Sequence, residues 1–454
     1  MAASATQAVR DLDAAVETQA QAVRKLKENG ASKDEITAAV DELKKRKADL
    51  AAHKSEKAEE DKGSQKITPW DVQGAVVDGV QQGVDYNKLI DTFGCSPLPQ
   101  SLIERFEQLT GRKAHMMLRR GMFYAHREFD KILDLYEKKK PFYLYTGRGP
   151  SSDALHMGHM VPFIFCQYLQ EVFDVPIVIQ MTDDEKFLFK DQSLVDSKRF
   201  MRENVKDIIS VGFNPDKTFI FSNMEYIQYL YPNILEVNKK ININQLNNTF
   251  GFDDTTIVGK VAFPPVQMVP CFSNTFPHIF GTKKDIPCLI PAAIDQDPYF
   301  RLTRNIAGGL KYKKCCTIYS KFFPALQGAG SKMSASVDTS AIFTCDTPKQ
   351  IAKKVKKYAF SGGRETLEEH REKGGDCEVD VAYQYLTFFL DDDVELRTIH
   401  DRYSSGEMLT SEVKDKLIEV LVEFTQKLQA RRATVTDAEI DLFCSVRPIS
   451  YERK

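Results

Sequence analysis

The sequence predicts an open, doubly wound α/β domain, preceded by a helical hairpin and followed by an all-helical domain. Three observations carry this. First, the segments "FYLYT", "VPIVIQMTDD", "KTFIFSN", "IPCLIPAAID" and "CCTIYSKFF" lack polar alternation, as strands covered on both faces of a parallel sheet do. Second, helical stretches lie between several of them, the alternation expected of α/β layers. Third, the strand signal is missing before residue 60 and fades past Thr347, where apolar residues recur at helical spacing.

Taken in order, residues 1–56 read as the hairpin. Val9, Leu12, Val16, Val23 and Leu26 share a face up to the stop signal Asn29-Gly30. Ser32 and Glu35 then form a capping box for a second helix, with Ile36, Ala39, Val40, Leu43 and Leu50 on one side. A short coiled-coil arm is the alternative. The polar run "HKSEKAEEDKGSQK" (53–66) reads as linker sequence, with the linker itself set at 57–66 after the hairpin. Residues 67–140 mix glycines with short apolar runs, which suggests a small hairpin followed by helices. The α/β domain occupies 141–346 and the helical domain 347–454. In the latter, Lys353, Lys354, Lys356, Lys357, Arg431 and Arg432 are either a solvated face or a nucleic-acid surface.

Bulk properties exclude several classes. A length of 454 residues implies more than one domain. With 62 basic and 64 acidic side chains the net charge is −2, so any nucleic-acid contact must come from local basic surface. Nine cysteines without a CxxC pair argue against a zinc ribbon or a disulfide framework. No signal-peptide core and no long apolar run are visible, so a soluble cytoplasmic protein without membrane contact is expected.

The chemistry concentrates in "TGRGPSSDALHMGHM", Thr146 to Met160, between the first strand and the next helix. Three readings compete. As a metal site it lacks ligands, since only Asp153 could join His156 and His159. As a structural feature the histidines would merely cap a helix. As an anion cradle, the helix N-terminus offers unpaired N–H groups, Gly147 and Gly149 admit close approach, and Gly158 leaves room for a flat group. Far downstream, "GSKMSAS" (330–336) adds Lys332 in a run of small residues, suited to a mobile loop.

Together, HxGH after the first strand and KMSxS after the last resemble the signature pair of class I aminoacyl-tRNA synthetases, whose catalytic domain is Rossmann-like. The stretches "YLYTGRGPSS", "HMGH", "VIQMTDDEK", "FPPVQ", "CLIPAAIDQDPYFR", "FFPALQGAGSKMSAS" and "AFSGGRETLEEHREKGGDCEVDV" resemble the eukaryotic cytoplasmic tryptophanyl branch over nearly the whole chain. The N-terminal hairpin is similar to a WHEP domain. The segment around "PWDVQGAVVDG" resembles a eukaryotic extension that folds over the active site. Two departures are small: Met157 stands where Ile or Val is commoner, and Ala335 replaces the second lysine of KMSKS, as is usual in this branch.

The resemblance implies activation of L-tryptophan by ATP and transfer to tRNA(Trp). It places His156 and His159 at the α-phosphate and Lys332 at the departing pyrophosphate, with Ser334 and Ser336 positioning the loop. Thr146, Gly147, Arg148, Gly158 and Met333 would also bind the nucleotide. Mg²⁺ would arrive with ATP, held mainly by phosphates and water, and no protein ligand is assigned to it. Tyr145 and Gln180 are assigned to the indole, and Glu185, Gln267 and Gln296 to the rest of the amino acid. An unpaired buried amide costs roughly 1–3 kcal/mol, so Gln180 needs a partner: the indole N–H, or simply neighbouring backbone. A homodimer, an anticodon-reading C-terminal domain and a further RNA or protein partner for the hairpin are also implied. The rivals are a tyrosyl-specific synthetase, an HxGH adenylyltransferase and a synthetase-derived binding protein.

Overall fold

The structure, a computed structural model, describes residues 15–16, 18–26, 28–29, 32–62, 65–70, 72–77, 80–81, 83–332 and 338–452. It divides into two units, Met1–Lys66 with Gly74–Val84, and Ile67–Gln73 with Asp85–Lys454.

In the first unit the expected capping box forms. The Ser32 N–H donates to Glu35 Oε2 at 2.9 Å, and the Glu35 N–H donates back to Ser32 Oγ at 3.4 Å. The helix it starts, Lys33–Lys62, contacts helical residues before Asn29: Gln19 Nε2 donates to the Ala39 carbonyl at 3.1 Å. This helix runs through much of the expected linker. Ala, Lys and Glu are strong helix formers, so a polar stretch needs no apolar face to stay helical. Val76–Val77 pairs antiparallel with Val80–Gln81, giving the small hairpin.

The second unit is built on a sheet of seven strands: β1 (Ser96–Pro97), β2 (Phe123–Arg127), β3 (Tyr143–Arg148), β4 (Ile177–Met181), β5 (Thr218–Ser222), β6 (Cys288–Ala293) and β7 (Cys316–Ser320). Their order is β1-β2-β7-β6-β3-β4-β5. The last five in chain order are the five expected strands, and they run parallel. Every residue of β4, β5 and β7 is buried, which is why those segments show no alternation. β1 and β2 add antiparallel to one edge. The hairpin and helices expected over 67–140 are present, and these two short strands, which the sequence did not reveal, lie among them. "FYAHR" is too short to display a period, and its partner β7 lies almost two hundred positions away in sequence.

From β3 the chain steps to β4 and β5 on one side, then crosses to β6 and β7 on the other, so the winding reverses between β3 and β6. β3 stays paired with β4 from Leu144 to Arg148. It pairs with β6 only at Tyr143 and Leu144. The two strands therefore part toward their carboxyl ends and leave a crevice, the place where ligands bind in doubly wound sheets.

The C-terminal region is helical, as expected. Much of its basic accent is structural. On the helix Thr410–Thr434, Arg432 bonds Glu203 at 2.6 Å and Asp207 at 2.7 Å, and Arg431 donates to the Val211 carbonyl. Lys354 is buried on Asp346 at 2.9 Å. Asp393 accepts from Arg119 and Arg120, which precede β2, both through Nε at 3.0 Å.

Candidate active site

A cavity of about 240 Å³ fills the crevice. Its floor is the parted ends of β3 and β6, from Tyr145 to Gly149 and from Ile290 to Ala293. Helix α1 (Met157–Phe173) starts at its rim and contributes Gly158, His159 and Phe163. Phe263, Tyr299 and Phe300 give the cavity an aromatic wall, and Pro69 lines it as well. Next to Pro69, Trp70 stacks on Phe189 with ring centroids 5.0 Å apart and meets Tyr299 edge-on at 6.5 Å. A flat apolar ligand fits such a wall.

One end of the cavity is cationic. Arg148 Nη1 lies 3.0 Å from His159 Nε2. Its Nη2 is buried with no hydrogen-bond partner. Burial pushes the Arg148 guanidinium down to about 10, against the attraction of Glu185 and Asp207. It still remains charged near neutral pH. A buried donor without an acceptor costs about 1–3 kcal/mol, and an anionic ligand would relieve that. His156 caps the helix behind. Its ring stacks on His159 at 3.4 Å between centroids, and it is 3 % exposed. His159 lines the cavity and His156 does not.

The other end is neutral and acceptor-rich. Tyr145 donates its hydroxyl to Gln180 Oε1 at 2.5 Å, with the Gln267 carbonyl 3.0 Å away. Burial keeps this phenol far above its ordinary pKa and hence neutral. Gln180 itself does not border the cavity and is fully buried. Its Nε2 donates to Asn223 Oδ1 at 2.8 Å and to the Val266 carbonyl at 3.1 Å. The expected direct reach of Gln180 into the crevice is therefore not seen. The amide is satisfied by protein neighbours and holds Tyr145 from behind.

Glu185, Gln267 and Gln296 all line the cavity, as do Thr146, Gly147 and Arg148. Glu185 accepts from Thr182 Oγ1 at 2.7 Å and from Lys186 Nζ at 3.0 Å. Lys186 and Asp295 also line the site, although the sequence reading did not single them out. Lys186 belongs to the quoted stretch "VIQMTDDEK" but carried no spacing signal of its own. Beneath Glu185, burial pushes the Asp184 carboxyl up to about 7, against a hydrogen bond from Asn223. The signature lysine enters through its backbone. The strand Gly328–Lys332 pairs with Pro324–Ala325, and its Ser331 with Gln73. The Lys332 side chain, Met333, Ser334 and Ser336 lie outside the described residues.

A family profile described as tRNA synthetases class I (W and Y) matches residues 137–426, well over half the chain. The chain belongs to this family. A WHEP-TRS domain profile matches residues 12–63. The Homo sapiens protein named tryptophan–tRNA ligase, cytoplasmic, is 49 % identical over 462 residues, covering 96 % of each chain. Its Schizosaccharomyces pombe namesake is 57 % identical over 379 residues, covering 83 % of this chain and 96 % of that one. The crystal structure of Plasmodium falciparum tryptophanyl-tRNA synthetase superposes with a TM-score of 0.75 at 50 % identity, covering 80 % of this chain and 96 % of its own. Among the described residues no helix is long and apolar enough to cross a membrane.

Proposed function

We propose that this chain activates L-tryptophan with ATP and transfers it to tRNA(Trp), and that both steps use the crevice between β3 and β6. The observation that carries the reading is the polarity of the cavity in this crevice. Its aromatic wall runs from a neutral acceptor, Tyr145, to a cation with an unused donor, Arg148. The indole lies along the wall with its N–H on the Tyr145 oxygen. Because that hydroxyl gives its proton to Gln180, its lone pairs are left to accept. Glu185, Gln267 and Gln296 surround the ammonium group.

The tryptophan carboxylate oxygen attacks the α-phosphorus. A P–O bond forms, the bond to the β-bridging oxygen breaks, and pyrophosphate leaves. Arg148 and His159 donate to the α-phosphate as charge builds there. His156 acts through His159, and Lys332 meets the pyrophosphate. Holding the two reactants in line supplies much of the rate. A hydroxyl of the terminal ribose of the tRNA then attacks the tryptophanyl carbonyl, and AMP departs. Mg²⁺ would accompany ATP and neutralise charge on its phosphates. Among the described residues no three His, Cys, Asp or Glu are grouped to hold a metal, so no step is assigned to it.

Three further elements belong to this reading. Ile227, Tyr231 and Leu235 are exposed at four-residue spacing on the helix Asn223–Asn238, a stripe suited to a second copy of the chain. Lys349, Lys353 and Lys357 remain exposed on the C-terminal helix Pro348–Tyr358, which supports RNA contact there. The cytoplasmic relatives support a cytoplasmic location, and the hairpin is a module for a further partner. Charging assays test the function: tryptophan should become esterified to tRNA(Trp) in an ATP-dependent way. Tyrosine esterified to tRNA(Tyr) instead would overturn it.

A further inference from the structure

We propose that Asn204, which does not border the cavity, is the positioning residue that aims Arg148 at the nucleotide without consuming its charge. The inference rests on the phosphate role given to Arg148 above and extends it to a buried amide on the helix Leu194–Ser210, behind the signature loop.

Among the described residues the Arg148 guanidinium has two hydrogen-bond partners. Nη1 meets His159 at 3.0 Å, and Nε donates to Asn204 Oδ1 at 3.4 Å. A guanidinium is flat and rigid, so two anchored nitrogens fix its plane and with it the direction of Nη2, whereas one leaves it free to turn. His159 faces the cavity and turns to phosphate in the reaction proposed above. Asn204 is the anchor that stays.

The direction of Asn204 is set from its other end. Nδ2 donates to the Ser152 carbonyl at 2.8 Å, an obligate acceptor, which leaves Oδ1 to face Arg148. At 0 % exposure the amide exchanges neither bond with water. The loop backbone is held on both sides of Ser152 by other groups: Gln192 donates to the Pro150 carbonyl at 3.1 Å, and Asp207 accepts from the Leu155 N–H at 3.0 Å. Among the described residues, by contrast, no other group accepts from Arg148 Nε. The amide also orients without neutralising. Glu185 and Asp207 attract Arg148 from a distance, but both give their hydrogen bonds elsewhere. A carboxylate in place of Asn204 would pair with the guanidinium and compete with phosphate for it.

The test measures tryptophan-dependent ATP–pyrophosphate exchange in the full chain, in Asn204→Leu, in Arg148→Met and in the double variant. Asn204→Leu keeps the size of the side chain and removes the acceptor. It should raise the KM for ATP about tenfold, roughly one hydrogen bond's worth, and leave that for tryptophan within about twofold. Arg148→Met should raise the ATP KM at least as far, and adding Asn204→Leu to it should cost nothing further, because the amide acts through the guanidinium. Equal ATP penalties from Asn204→Leu with and without Arg148 would refute the inference, as would a tryptophan KM raised to the same degree. An ATP KM sensitive to Arg148→Met but indifferent to Asn204→Leu would refute it while keeping Arg148 in the mechanism. An ATP KM indifferent to Arg148→Met would remove the Arg148 reading and the inference with it. Should Asn204→Leu not fold, Asn204→Asp decides alone. A raised ATP KM confined to chains that keep Arg148 supports the inference, and an unchanged one, or a rise independent of Arg148, refutes it.

Discussion

Arg148 is the residue on which the nucleotide half of the site turns. It holds His159 with one nitrogen and keeps another unpartnered in a buried position. Lysine at this position would keep the charge but lose the fork that serves two acceptors at once. Arg148→Lys should lower kcat/KM for ATP by roughly ten- to a hundredfold, read from the ATP dependence of pyrophosphate exchange. An unchanged ATP dependence would remove Arg148 from the mechanism. The residue scale is also where the sequence was least legible. Gln180 stands out in sequence as a polar end to an apolar strand, but the parallel register decides what it touches. Gly147 lies opposite Gln180 and Tyr145 opposite Val178. No local pattern reveals that a tyrosine two residues back on the next strand reaches the amide and stands between it and the crevice. His156 is a similar case. Its spacing from His159 is plain in the sequence, whereas the stacking that withdraws it from the cavity depends on how the helix starts.

At the scale of elements, the five parallel strands were readable because full burial leaves a continuous apolar run. The edge strands were not, since a five-residue segment such as β2 has no period of its own and owes its conformation to β7. The joint between the α/β domain and the C-terminal helices is held by charge that composition alone could not distinguish from a solvated or RNA-binding face. Asp393 shows how one such contact responds to pH. Burial alone would raise its carboxyl, but the hydrogen bonds and charges of Arg119 and Arg120 outweigh this and hold it at about 2. A carboxyl depressed on folding stabilises the protein above its unfolded value, about 3.9, and loses that contribution as pH falls toward the folded one. Asp393→Asn should therefore lower the unfolding midpoint at neutral pH, and its deficit should shrink between about pH 4 and pH 2. A deficit independent of pH would mean that the contact acts by packing rather than by charge.

Across the whole molecule, the division into two units separates what activation needs from what it does not. Every residue assigned to the cavity belongs to Ile67–Gln73 or Asp85–Lys454. Removing residues 1–62 should therefore leave tryptophan-dependent exchange within about twofold, as expected for a domain with its own contacts. A collapse of activation would assign the hairpin a part in the chemistry. The order of elements and both signature motifs were legible from the sequence, because each is a short local pattern. The opening between β3 and β6 was not, since it arises where two strands distant in sequence stop pairing.

The central claim is that this crevice activates tryptophan and reads its indole through Tyr145. Pyrophosphate exchange without tRNA tests it most directly, with tryptophan and tyrosine side by side, on the full chain and on Tyr145→Phe. We predict exchange that depends on tryptophan and falls by about tenfold or more in Tyr145→Phe, chiefly through the tryptophan KM. Exchange supported by tyrosine alone, or tryptophan exchange indifferent to the loss of the hydroxyl, would contradict the account.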